Sequence, residues 1–179
     1  MTIILQRVYF GNWLRDYSQA VDVGTLKGVP ASTIRILVWV LAFMTFGYAT
    51  GEFEVTDERL GVYRPEEHID NPKGYADPCP DARQYDERLR GPVQPEELAI
   101  DPDTGMKNYI ANERGGWATS SGYVRYSFKR AIHFGRMYTH GSNKGDEKDL
   151  CEALRCLGQA LHCMEVSLRP VLVASCARC

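Results

Sequence analysis

The run D-L-C-E-A-L-R-C-L-G-Q-A-L-H-C-M-E, Asp149 to Glu165, is the stretch on which the fold turns. Leu150, Leu154, Leu157, Leu161 and Met164 recur at steps of four, three, four and three, which marks one apolar stripe of a helix. Beside that stripe runs a second line, Cys151, Arg155, Gly158 and His162. Gly158 has no Cβ, so another backbone can come close there, one turn before His162. A histidine in that place serves as a metal ligand or an acid/base group, or packs as a core histidine bonded to a carbonyl. Taken alone, the helix favours the core histidine.

Outward from this helix, the chain of 179 residues suits one domain. Hydrophobic residues make up 44%, enough for a core, and the aromatic share of 11% fits a folded chain. The formal net charge is -2, and no polybasic arm or acidic tail stands out, so nucleic acid is not an expected partner. The six cysteines are Cys79, Cys151, Cys156, Cys163, Cys176 and Cys179. Cys156 and Cys163 share a helix face, but two turns separate them and they cannot bond to each other. The single C-x-x-C at Cys176–Cys179 is weak as a zinc or redox motif. The opening Met1 to Leu5 is too short for the apolar part of a secretion leader.

Between Arg7 and Val21, residues Phe10, Trp13, Leu14, Tyr17, Ala20 and Val21 follow the helical period. Asp16 sits on a neighbouring face, where it is exposed, paired with Arg15 or Arg7, or holding a cation. The longest apolar run, Ile36 to Tyr48, is short for a bilayer span. It reads as a buried helix from about Ile34 to Tyr48, capped by Ser32 or Thr33 and stopped by Gly51; a membrane-interface segment is the lesser reading.

From Gly61 to Thr104 the character changes. Seven of the nine prolines lie here, Pro65, Pro72, Pro78, Pro80, Pro92, Pro95 and Pro102, which predicts a long irregular insertion with one turn near Pro95–Leu98. His68 stands among carboxylates in Glu66-Glu67-His68-Ile69-Asp70. Composition favours a solvated loop histidine whose charged form is stabilised by those neighbours, or one sharing a cation with them. Tyr123 to Tyr138 is helical again, with Val124, Phe128, Ala131, Ile132 and Gly135 on one side and Tyr126, Arg130, His133 and Met137 on an adjacent line. His140 follows in a polar loop. The expected architecture is all-α: four helices, a proline-rich insertion and no strand. No H-E-x-x-H and no G-x-S-x-G pattern is present.

Four phrases carry a specific resemblance: F-G-N-W-L-R-D-Y-S-Q-A-V-D (10–22), G-V-Y-R-P-E-E-H-I-D-N-P (61–72), D-P-D-T-G-M-K-N-Y-I-A-N-E-R-G-G-W-A-T-S (101–120) and C-E-A-L-R-C-L-G-Q-A-L-H (151–162). Together they resemble the fungal heterokaryon incompatibility protein Het-C family over about residues 6–165. The resemblance implies a role in vegetative (heterokaryon) incompatibility, nonself recognition that ends in cell death. It implies an allelic or other incompatibility protein as partner, in homo- or hetero-oligomers, and a secreted or cell-surface setting, for which this chain shows no leader.

The helical domain of that family is in turn similar to zinc-dependent phospholipase C and P1-type nucleases. That similarity implies zinc as cofactor, membrane phospholipid as substrate, and metal-activated water attacking a phosphodiester. By position, Trp13-x-x-Asp16 resembles a ligand segment, His68 in H-I-D-N-P a second, and His162 the histidine of an H-x-x-x-D helix. His133 is an outside candidate. Val166 stands where the aspartate of that last pattern belongs. The resemblance therefore implies a chain cut at both ends, a partial helical domain over 1–165 with an aberrant or disordered tail over 166–179, and a fragment without activity as an alternative. Val166-Ser167 can be encoded by GTGAGT, a splice-donor sequence, so the tail is expected to be read-through intron; the genomic codons test this.

Overall fold

The computed structural model describes residues 2–74 and 81–176, with backbone alone for 167–176. Eight α-helical segments follow in order: α1 Ile3–Ser18, α2 Val23–Leu26, α3 Ala31–Phe46, α4 Asp57–Leu60, α5 Pro95–Leu98, α6 Asn108–Ala111, α7 Ser120–His140 and α8 Glu147–Cys176. Four single-turn 3-10 segments lie between them. Among the described residues there is no strand, only one isolated antiparallel bridge between Ile100 and Lys107. The fold is all-α, with the long helices close to where the periodicity places them.

α8 packs chiefly against α1 and α7. The core is built by Phe10, Trp13 and Leu14 of α1, Ile34, Val38, Ala42 and Phe46 of α3, and Phe53, Val55, Leu60 and Val62 of the segment after it. Phe10 meets Phe46 and Phe53 edge to face, at 5.3 and 5.4 Å between ring centroids. Burying each such side chain stabilises the fold by about 1.5–3 kcal/mol.

Three expectations about these helices change. α3 starts earlier, because Pro30 at its N-cap fixes an extended approach, and Gly47 ends it in the left-handed region at φ 76°. Ser32 and Thr33 lie inside the helix, and Gly51 begins the next 3-10 turn. α3 is also not buried all round. Only the stripe Ile34, Val38, Ala42 and Phe46 is covered, while Leu37, Phe43 and Met44 are exposed, Met44 to 75%. One neighbouring layer can bury only one stripe of a helix. No described helix is long and apolar enough to cross a membrane.

The leucine stripe of α8 is likewise not its innermost face. Leu150, Leu154, Leu157 and Leu161 are half-buried, and Met164 is exposed. The buried line is the second one, Cys151, Arg155, Gly158 and His162, with Cys156, Ala160 and Cys163. At Gly158 the absence of a side chain decides, because the α1 backbone lies directly against that face. Cys151, Cys156 and Cys163 are buried thiols.

The proline-rich insertion is irregular in backbone but tied down. Arg90 is buried and donates to Glu97 at 2.7 Å, with Glu66 at 3.5 Å. Glu97 also accepts from the backbone N–H of Gln94, at the start of α5. Cys79 and the tail past 176 lie outside the described residues, as does the side chain of Cys176. α8 itself has no break at residue 165, where the boundary between 1–165 and 166–179 is expected.

Candidate functional site

The site begins with two glycines. A Cβ on Gly158 would stand 1.9 Å from the Val8 carbonyl oxygen, and one on Gly11 would stand 2.0 Å from the Arg155 carbonyl oxygen. Real side chains do not tolerate such distances, so α1 and α8 touch backbone to backbone only because both positions lack a Cβ. That contact faces Asn12 and Asp16 of α1 with His162 and Glu165 of α8. His162 Nδ1 lies 3.3 Å from Asn12 Oδ1, and Asn12 Nδ2 donates to Glu165 Oε2 at 2.9 Å.

The third contributor is the 3-10 turn Pro65–His68. Ile69 ends it at φ 57°, left-handed and unusual for a β-branched residue. Such a residue costs about 1–3 kcal/mol and persists where surrounding bonds over-determine it. Here Tyr109 Oη donates to the Ile69 carbonyl at 3.2 Å, Ser120 Oγ to the Glu66 carbonyl at 2.6 Å, and Asp70 N–H to the Pro65 carbonyl at 2.9 Å. The turn delivers His68 into the interior, where it is 1% exposed. The solvated loop histidine expected from composition is therefore replaced by a buried one.

His68 Nδ1 lies 3.2 Å from His162 Nε2 and 3.3 Å from Gln19 Nε2. The two rings meet edge to face at 5.2 Å. His162 Nε2 is also 3.7 Å from Asp16 Oδ1, whose side chain is 61% exposed at the rim. The structure thus brings three of the four expected residues, Asp16, His68 and His162, into one chain of contacts. His133 is not among them: it is exposed on α7, with its ring against Phe134.

Burial, then the charges of Arg15 and His162, pull the His68 pKa down to about 3. This reverses the expectation of a charged imidazole favoured by Glu66 and Glu67. Those carboxylates are claimed by arginines: Glu66 pairs with Arg64 at 2.8 Å, and Glu67 with Arg15 at 2.7 Å. A neutral His68 carries one lone-pair nitrogen and one N–H. His68 Nε2 is buried with no hydrogen-bond partner among the described residues, and an unmet buried group of this kind costs about 1–3 kcal/mol.

Imidazole nitrogens and a carboxylate are the donor types zinc takes, at ligand distances of about 2.0–2.2 Å. Around such an ion neighbouring ligand atoms stand about 3.3 Å apart, close to the separation of the two histidine nitrogens. The set is nevertheless open, because Asp16 reaches His162 and no further. Among the described residues no three or more His, Cys, Asp or Glu side chains are arranged to hold one ion together.

Asn12, Gln19 and Glu165 were missed in the sequence. A signal was there: Asn12 and Asp16 of α1 and Gln19 at its C-cap recur at steps of four and three, one polar line beside its aromatic stripe.

No curated protein and no solved structure matches the chain. A family model does, that of heterokaryon incompatibility protein Het-C, over residues 1–168. That span holds α1, the His68 turn and the described part of α8 that carries His162, so the site and its scaffold fall within the matched region, and the chain belongs to the Het-C family of heterokaryon incompatibility proteins.

Proposed function

We propose that this chain acts in nonself recognition during heterokaryon incompatibility, through contact with an allelic or other incompatibility protein at the cell surface, and that a zinc ion held by His68 and His162 stabilises the recognising domain. The family match supports the first part. One observation carries the second: nitrogens of two histidines 94 positions apart lie 3.2 Å from each other in a buried setting. A neutral His68 offers a lone pair rather than a repelling charge. Asp16, exposed and 3.7 Å from His162, is free to swing in as the third ligand. The remaining position falls to water, as in zinc sites with three protein ligands.

Metal analysis of the purified chain tests this directly. One zinc per chain in the wild type, lost in both H68A and H162A, is the expected result. Metal-free wild type after zinc loading would remove the zinc. Expression of the H162A gene in a fungus with an incompatible partner tests the biological role, and an undiminished cell-death reaction would separate the role from the histidines.

A second reading is favoured by the exposure of Asp16, which leaves the rim of the histidine pair open to a substrate. On this reading the site hydrolyses a phosphodiester of membrane phospholipid. Zinc-loaded protein that releases no headgroup from phosphatidylcholine vesicles would end it, and would leave a recognition domain or an inactive fragment.

A further inference from the structure

A cavity of about 1250 Å³ lies among α1, α4, α7, α8 and the turn at Gly51–Phe53. None of Asp16, His68 or His162 lines it. Its buried and half-buried lining holds five arginines and only two glutamates. Arg7 is balanced by Glu52 at 2.6 Å and Glu147 at 3.0 Å, and Arg15 by Glu67. Of the other three, Arg59 and Arg155 share a single carboxylate. Glu152 takes Arg59 at 2.8 Å on one oxygen and Arg155 at 2.7 Å on the other.

Arg130 has no carboxylate within ion-pair distance among the described residues. Its guanidinium lies against the rings of Tyr126 and Phe134, at 5.7 and 5.3 Å. Its charge also bears unfavourably on Arg155, which is 6% exposed. Two neighbouring guanidinium groups in a partly desolvated wall, with one carboxylate divided between Arg155 and Arg59 and none at Arg130, call for an anion. Guanidinium forks match phosphate oxygens, and a dianion answers both charges at once. Tyr48, Phe53 and Tyr123 also line the space, which is far larger than a bare phosphate ion and offers aromatic surface to an organic part. Burial raises the Tyr123 pKa, so its hydroxyl stays a hydrogen-bond donor. Glu54 and Glu58 line the cavity as well, but both are exposed.

We propose that this cavity binds a phosphate monoester bearing an apolar or aromatic group, with Arg130 and Arg155 holding the phosphate. The ester comes from a soluble metabolite or from a lipid headgroup, and the test separates these sources. It is independent of the zinc reading, and chelator in every buffer keeps any histidine-bound metal out of the result.

Phenyl phosphate is titrated into the full chain by calorimetry, beside benzoate as a carboxylate of similar shape. Phosphatidate-containing vesicles are tested by co-sedimentation. R130Q is the decisive variant, since Arg130 is half-buried and holds no ion pair; R155Q strands Glu152 and is read only if its helical circular dichroism is intact. Phenyl phosphate binding that weakens at least about tenfold in R130Q and recovers in R130K supports the site. Vesicle binding lost in R130Q and competed by phenyl phosphate assigns the lipid source, while vesicles that do not bind assign the soluble one. No phenyl phosphate binding at about 10 mM, equal binding by R130Q, or benzoate binding as well as phenyl phosphate overturns the proposal.

Discussion

Gly158 of α8 lies against the Val8 carbonyl of α1 so closely that a Cβ would stand 1.9 Å from its oxygen. The α1–α8 side of the histidine site depends on this crossing. It sets Asn12 and Asp16 against His162, and it cannot be widened without moving them apart.

Alanine at Gly158 or at Gly11 is expected to destabilise the chain by about 3 kcal/mol or more, because backbone rather than a flexible side chain stands in the way. Thermal unfolding followed by circular dichroism reads the loss. Gly135, inside α7, is the control, since a Cβ there would meet nothing within 4 Å. Gly135→Ala should stabilise by about 0.4–1 kcal/mol through helix propensity and lost chain entropy. Equal behaviour of Gly135 and Gly158 variants would refute the close crossing.

The insertion is held by the Arg90 network. Arg90→Ala leaves Glu97 without its arginine and Glu66 with only Arg64, both carboxylates buried. Removing one partner of a buried pair costs about 3–5 kcal/mol. Hydrogen exchange should quicken at α5 and around the His68 turn, while the α7–α8 contact stays protected longer. Unchanged exchange at α5 would mean that the network does not hold the segment.

The metal-free chain should lose stability as the pH falls. His68 titrates near 6.5 when unfolded and near 3 when folded, so between those values the unfolded chain binds more protons. Unfolding free energy therefore rises with pH across that window, is fully present above about 6.5, and is lost as the pH falls toward 3. The slope from one proton is about 1.4 kcal/mol per pH unit. Denaturant titrations of wild type and His68→Gln in chelator, at several pH values, measure the difference in slope. A variant as steep as wild type would show that another group is responsible.

Zinc at a hundredfold excess over its dissociation constant should stabilise the wild type by about 2.7 kcal/mol, seen as a higher melting temperature. His68→Ala and His162→Ala should abolish the shift, Asp16→Asn should reduce it, and His133→Ala should leave it whole, since His133 is exposed away from the pair. A shift that disappears with His133→Ala would place the metal elsewhere.

Part of this site was legible in the residues. Asp16, His68 and His162 could be named from the phrases around them, and Gly158 announced a close approach one turn before His162. His133 could not be told from them, because helical spacing places a histidine on a face without saying what that face meets. The reading of His68 failed for a related reason. Composition made it a solvated loop residue, whereas Ser120, Tyr109 and Asp70 bond the turn that carries it inward. Those partners are distant in sequence or hidden in backbone geometry. The arginine cavity was invisible too, since its cations come from separate helices.

The sequence by itself determined the helices and their rough limits, since periodicity and the glycine and proline positions are local properties. It also determined the family, through long phrases that span the chain. Tertiary structure decided which stripe of α8 is innermost: the line of Cys151, Arg155, Gly158 and His162 faces α1, and the leucines are left half-buried. Hydrophobicity ranks faces by what burial would gain, but a helix crossing at backbone contact admits only small residues, and at Gly11 and Gly158 that steric condition outweighed the leucines.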